Sequence, residues 1–105
     1  MNLNELKDKA AAFSDKHFGK GRSPLGPLKK LDEEVKELIE SIEKCEDPGD
    51  EFADCILLLI DSFRMHYGND VDMQKLIDDC SKKLDLNETR VWELHTKDGV
   101  YRHKK

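Results

Sequence analysis

The apolar positions of this chain fall into four runs with a helical period. Leu3, Leu6, Ala10 and Phe13 recur at 3-4-3 spacing and predict a helix over 3–18, with Asn2 as its N-cap. Residues 19–27, GKGRSPLGP, hold three glycines and two prolines and predict a loop that carries Lys20 and Arg22. From about 27 to 45, Leu28, Leu31, Val35, Leu38, Ile42 and Cys45 keep a 3-4-3-4-3 seam of the kind that bundles use. Asp47 and Pro48 then suit the N-cap and first position of a third helix, which Gly68 closes. Asp70 is placed to cap a fourth, with Val71, Met73, Leu76, Ile77, Cys80 and Leu84 at helical spacing. Residues 93–105 are polar and predict a partly loose tail. The expectation is an all-α bundle of about four helices, one domain over 1–105.

The third helix is the one that needs explaining. Phe52, Ala53, Ile56, Leu57, Leu59, Ile60 and Phe63 surround most of its circumference, the pattern of a helix buried from several sides. Such burial takes more neighbours than a chain of 105 residues readily supplies, so the central helices are expected to meet a second copy. Yet Glu51, Asp54 and Asp61 lie inside the same helix, within a sector of roughly 80° at about 100° per residue. Buried carboxylates require a cation or a paired base.

The second helix offers more acids. Glu33, Glu34, Glu37, Glu40 and Glu43 flank its seam. Glu40 and Glu43 read as a solvated face, whereas Glu34 and Glu37 lie beside seam positions. They stand at i and i+3, about 5–6 Å apart at Cβ, and repel unless a cation sits between them. The short turn at 46–49 makes helices two and three antiparallel neighbours. It brings Glu34/Glu37 and Glu51/Asp54 to comparable heights, two acidic pairs facing each other across one groove.

Four carboxylates without Cys or His form a hard oxygen-donor set, which selects Mg²⁺, Mn²⁺ or Ca²⁺ over zinc. A di-iron bundle would need Glu-x-x-His, and neither motif has it. Helix-borne Mg²⁺ sites commonly complete their shell with substrate phosphate oxygens, so the cluster suggests a nucleotide or pyrophosphate substrate. Glu33 or Asp61, if not engaged with metal, is placed to orient or deprotonate a water. Lys83, Asn87 and Arg90 would share a face if the fourth helix continues that far.

Composition narrows the class. The net charge of −5 argues against a nucleic-acid polymer as partner. Three widely spaced cysteines, Cys45, Cys55 and Cys80, read as reduced packing residues of a cytoplasmic protein. The longest apolar run, Cys55 to Ile60, is too short to span a membrane.

Glu33-Glu34-Val35-Lys36-Glu37, thirteen residues, then Glu51-Phe52-Ala53-Asp54, resembles the EExxE…ExxD signature of the MazG-like all-α nucleoside triphosphate pyrophosphohydrolases. Phe18-Gly19, Arg22, Pro24 and Gly26-Pro27-Leu28 before it resemble the dATP/dGTP pyrophosphohydrolase branch. So do Asp61-x-x-Arg64 and Lys83…Asn87-x-x-Arg90-x-Trp92…Gly99…His103 after it. The resemblance covers roughly 17–103. It implies Mg²⁺-dependent cleavage (Mn²⁺ as a substitute) between the α- and β-phosphates of a purine dNTP, dGTP or dATP, giving the monophosphate and pyrophosphate. It further implies that Glu34, Glu37, Glu51 and Asp54 ligate the metal and that Asp61 extends the acidic wall. Lys83, Asn87 and Arg90 would contact the triphosphate, Arg22 and Lys20 are further phosphate candidates, and Phe18 or Trp92 would stack on the base. A homodimer or homotetramer is implied as well. Lys29 and Lys30 depart from the more neutral pair expected there. Two alternatives stay open: a helical binding module with a structural divalent ion, and an interaction hairpin whose acidic stripe pairs with a partner's lysines.

Overall fold

A computed structural model describes all 105 residues. It contains α1 (Leu3–Phe18), α2 (Leu25–Glu43), α3 (Gly49–Tyr67), α4 (Gln74–Glu88) and two short strands, β1 (Trp92–His95) and β2 (Val100–His103). The chain divides into two compact units, Met1–Met73 and Gln74–Lys105.

In the first unit, Asn2 caps α1 through a complete capping box. Its side chain accepts from the Glu5 amide, and Glu5 returns the bond to the Asn2 amide. Asp47 serves the start of α3 by accepting from the Gly49 amide at 3.1 Å, although Pro48 occupies the cap position itself. Gly68, at φ +107°, ends α3 in a conformation that disfavours a side chain. The broadest packing is α2 on α3, with α1 lying on α3 but not on α2. Ser62 donates to the Pro24 carbonyl at 2.8 Å and fixes the entry to α2.

The segment after α3 folds back onto α1. Asn4 donates to Asp72 at 3.0 Å and accepts from the Met73 amide at 2.8 Å, and the Lys7 ammonium donates to the Val71 carbonyl. These bonds hold residues 71–73 outside any helix, so α4 starts at Gln74 rather than at an Asp70 cap.

The buried faces differ from those the apolar spacing predicts. On α1 the buried line is Lys7, Ala10 and Ser14, while Phe13 is exposed. On α2 it is Pro27, Glu34 and Ser41, which leaves Leu28, Val35 and Ile42 of the predicted seam open. On α3, Phe52, Ile56 and Leu59 are likewise open. A single copy therefore turns polar lines inward and presents apolar lines outward. Of the cysteines only Cys55 is buried.

The second unit comprises α4 and the hairpin. Trp92 pairs with His103 and His95 with Val100 in antiparallel register. The tail 93–105 was expected to be partly loose; with Trp92 it forms instead, through His103, a paired ribbon closed by Gly99 at φ +71°. Alternation over WELH and VYRH is short and half polar, which hid it from a helical reading. No helix is long and apolar enough to cross a membrane.

Candidate active site

Because α1 rests on α3 and stands off α2, a cavity of about 790 Å³ opens among the three helices. Its wall is apolar along Leu6, Ala10, Phe13, Leu57 and Leu58. Charged groups enter at defined points: Glu34, Asp54 and Asp61 as acids, Lys9, Arg22 and Lys30 as bases. Such a lining suits a ligand with one apolar part and one strongly anionic part.

Three of the four expected ligands come together. Glu34 is 8% exposed on the face of α2 that meets α3. Glu37, one turn on, lies close enough to hydrogen-bond the Glu34 carboxyl, and that bond holds the Glu37 carboxyl above the usual carboxylate range. The Glu34 charge and, from across the groove, that of Asp54 push it the same way, while Lys30 opposes them. The Cys55 thiol is also raised, first by burial and then by the charges of Glu34 and Asp54. Glu51 is half-buried in the first turn of α3 and lies outside the cavity lining. As placed, no three acidic, His or Cys side chains close on one point tightly enough to hold an ion. In its chemistry the donor set fits a hard divalent cation. It is all oxygen, and like charges crowded at the groove would be relieved by one.

Lys30 lies 3.3 Å from both Glu33 and Glu34, within ion-pair range of each, so Glu33 faces an ammonium rather than the cavity. Asp61 does line the cavity, but both of its oxygens are engaged. Ser14 donates to one at 2.6 Å, and the Arg64 Nε donates to the other at 2.9 Å. Arg64, 2% exposed, also donates to Asn69 at 2.9 Å. Phe18 and Arg22 line the same cavity, with the guanidinium 5.3 Å from the ring centroid and its Nε donating to the Gly19 carbonyl. Lys20 lines a separate polar pocket of about 200 Å³.

Lys83, Asn87, Arg90 and Trp92 belong to the second unit. The helix stops at Glu88, so Arg90 lies past its end and returns a guanidinium bond to Asn87 at 3.3 Å. Trp92 donates to the Asn87 carbonyl at 3.1 Å, and its ring meets His103 edge-on.

Sequence reasoning gave no role to Lys9, Ser14, Lys30 or Arg64, which lie at or behind the cavity wall, although it named Lys30 and the Asp61-x-x-Arg64 spacing. Arg64 was recoverable: an Asp and an Arg at i and i+3 on a mostly apolar helix imply a buried pair. Ser14 had no such signal, because its burial follows from a rotation of α1 that apolar spacing does not encode.

The profile of the dATP/dGTP pyrophosphohydrolase family matches residues 6–104. No curated protein matches the chain. Among solved structures, the cyanophage S-2L MazG-like pyrophosphohydrolase bound to dGDP and three catalytic Mn²⁺ ions per active site is 30% identical. The match covers 100% of this chain and 99% of that chain, with a TM-score of 0.75.

Proposed function

The chain belongs to the dATP/dGTP pyrophosphohydrolase family and is a nucleoside triphosphate pyrophosphohydrolase, and we propose that it cleaves a purine dNTP between the α- and β-phosphates. The products are the dNMP and pyrophosphate. The observation that carries this reading is Glu34 and Asp54 on the wall of a largely apolar cavity edged by cations, with Glu37 hydrogen-bonded to Glu34 beside them. Glu34, Glu37, Glu51 and Asp54 would hold Mg²⁺ or Mn²⁺. A divalent ion supplies Lewis-acid polarisation of a phosphoryl oxygen and activation of a water.

The chain's own groups do the rest. Lys9, Lys30 and Arg22 enter the cavity as donors that balance the triphosphate charge. By the family pattern alone, Lys83, Asn87 and Arg90 would contact a triphosphate, with Lys20 a weaker candidate. Phe18 and Trp92 offer ring faces for the base. Glu33 or Asp61 would orient or deprotonate the attacking water; Glu33 is paired with Lys30 outside the cavity lining, and Asp61 lines the cavity with one hydrogen bond on each oxygen. The place of action is the cytoplasm.

The test is incubation with each of the eight common ribo- and deoxynucleoside triphosphates, with Mg²⁺, with Mn²⁺ and with chelator. Turnover of purine deoxynucleotides is expected, and chelation should stop it while far-ultraviolet circular dichroism stays unchanged. No turnover with any nucleotide would overturn the reading in favour of a binding module. Helix loss on chelation would make the ion structural.

The open apolar lines of α2 and α3 support assembly with a second copy into a dimer or tetramer. Leu28, Val35, Ile42, Phe52, Ile56 and Leu59 are all exposed in a single copy, as apolar surface that meets a partner would be. Light scattering should give at least twice 12.2 kDa. A monomer mass at micromolar concentration would contradict this.

A further inference from the structure

We propose that the small polar pocket beside the catalytic cavity is an anion site, which takes a phosphate-sized oxyanion on Arg64, Arg22 and Lys20.

The pocket has a volume of about 200 Å³ and lies where the end of α1 and the glycine-bearing loop after it meet the end of α3. Lys20, Arg22 and Arg64 line it as cations, and Asp15 is the one carboxylate on its wall. Asp61 balances Arg64 from the side of the catalytic cavity, accepting from its Nε at 2.9 Å. Three cations against two carboxylates leave one positive charge over, in a chain whose net charge is −5.

Two of the cations are short of partners. Arg64 is 2% exposed, its Nε and Nη1 are bonded to Asp61 and Asn69, and its Nη2 is buried with nothing to donate to. Arg22 donates through Nε to the Gly19 carbonyl, and its Nη2 is buried and unpaired as well. Leaving a buried charged donor unmet is costly, and an orphan of this kind calls for a water or an ion. Two guanidinium groups on one pocket supply the planar donor forks that phosphate oxygens fit. Asn69 gives its carbonyl oxygen to Arg64, so its side-chain NH₂ remains a further donor.

The two spaces are opposite in character. The catalytic cavity carries Glu34, Asp54 and Asp61 on its wall, whereas this pocket carries a surplus of cations. Arg64 connects them, because the group that lines the pocket also holds Asp61 on the cavity wall. Arg22 lines both, so a bound anion and a triphosphate share it.

The test is calorimetric titration of the wild-type protein with inorganic phosphate at low ionic strength. Chelator is present and nucleotide is not, so hydrolysis plays no part in the result. One phosphate per chain is expected. Gly21 lies on the pocket wall at φ +71°, with no atom within 4 Å of the place of a Cβ, so it accepts Asp or Asn, the side chains that tolerate such a backbone best. Gly21→Asp adds a charge of the ligand's own sign and should weaken phosphate binding by on the order of 10-fold or more. Gly21→Asn has the same shape without the charge and should bind much as wild type does. Lys20→Glu, at an exposed position, should weaken binding to a similar extent and decides the matter if the Gly21 variants do not fold. Lys9→Met, on the wall of the catalytic cavity alone, should leave the affinity unchanged. Absence of binding would mean that water alone meets the two guanidinium groups, and overturns the site. Equal losses in Gly21→Asp and Gly21→Asn overturn it too, since shape and not charge would then be at work. A loss in Lys9→Met with none in Gly21→Asp or Lys20→Glu overturns it by placing the phosphate in the catalytic cavity.

Discussion

Glu34→Gln and Asp54→Asn are each expected to remove nearly all triphosphate hydrolysis while leaving the fold in place. Both substitutions keep side-chain shape and take away one negative oxygen donor. Loss of a residue that merely supports a metal ligand costs about 10- to 100-fold, so loss of a ligand itself should exceed that range. The Glu34 carboxyl is 11% exposed and its ion pair to Lys30 is lost, but Lys30 keeps Glu33 at 3.3 Å. Asp54 is exposed, and its neutralisation strands no buried charge. Glu40→Gln is the matched control. It removes an exposed carboxylate of the same helix, paired only with Lys44 on the solvent side, and should leave activity unchanged. Steady-state rates with Mg²⁺ and Mn²⁺ check this, and more than a tenth of wild-type turnover in either site variant would contradict it.

Asp61→Leu is expected to be the most destabilising single change in the first unit. It strands the Arg64 guanidinium, 2% exposed, with only Asn69 as a partner, and Arg64 Nη2 already lacks one. Breaking a buried pair by removing one member costs about 3–5 kcal/mol. The Asp61 carboxyl reaches the cavity, which places the cost near the lower end, about 3 kcal/mol. Against a total stability of about 5–15 kcal/mol that is a large fraction. The double variant Asp61→Leu/Arg64→Met removes both charges and should recover much of the loss. Urea unfolding measures all three proteins. A single variant within about 1 kcal/mol of wild type would show that water satisfies Arg64 and that the pair is not structural.

The helical architecture was legible in the sequence because its punctuation is local. Asn2, Asp47 and Gly68 mark boundaries by hydrogen bonds or backbone conformation within a few residues. The acidic motifs were legible because Glu34, Glu37 and Asp54 are fixed by helical period and by one short turn. What the period does not carry is the rotation of each helix about its axis. Apolar spacing places Leu28, Val35 and Ile42 in the core, whereas the α2–α3 packing turns Glu34 and Ser41 inward. The apolar spacing misplaced the line that the chain buries by itself. Residues 92–103 were misread for a different reason. A hairpin of four-residue strands is stabilised by cross-strand pairs such as Trp92 with His103, and these are invisible to a linear scan. The polar network Ser14–Asp61–Arg64–Asn69 joins residues 55 positions apart (14 to 69), a separation that only the tertiary fold reveals.

The most direct test of the central claim is a phosphorus NMR time course of the wild-type protein with dGTP and a divalent cation. Cleavage between the α- and β-phosphates predicts that dGMP and pyrophosphate appear together, in equal amounts, from the first time point. Appearance of dGDP with inorganic phosphate would contradict the account, placing attack at the terminal phosphate instead.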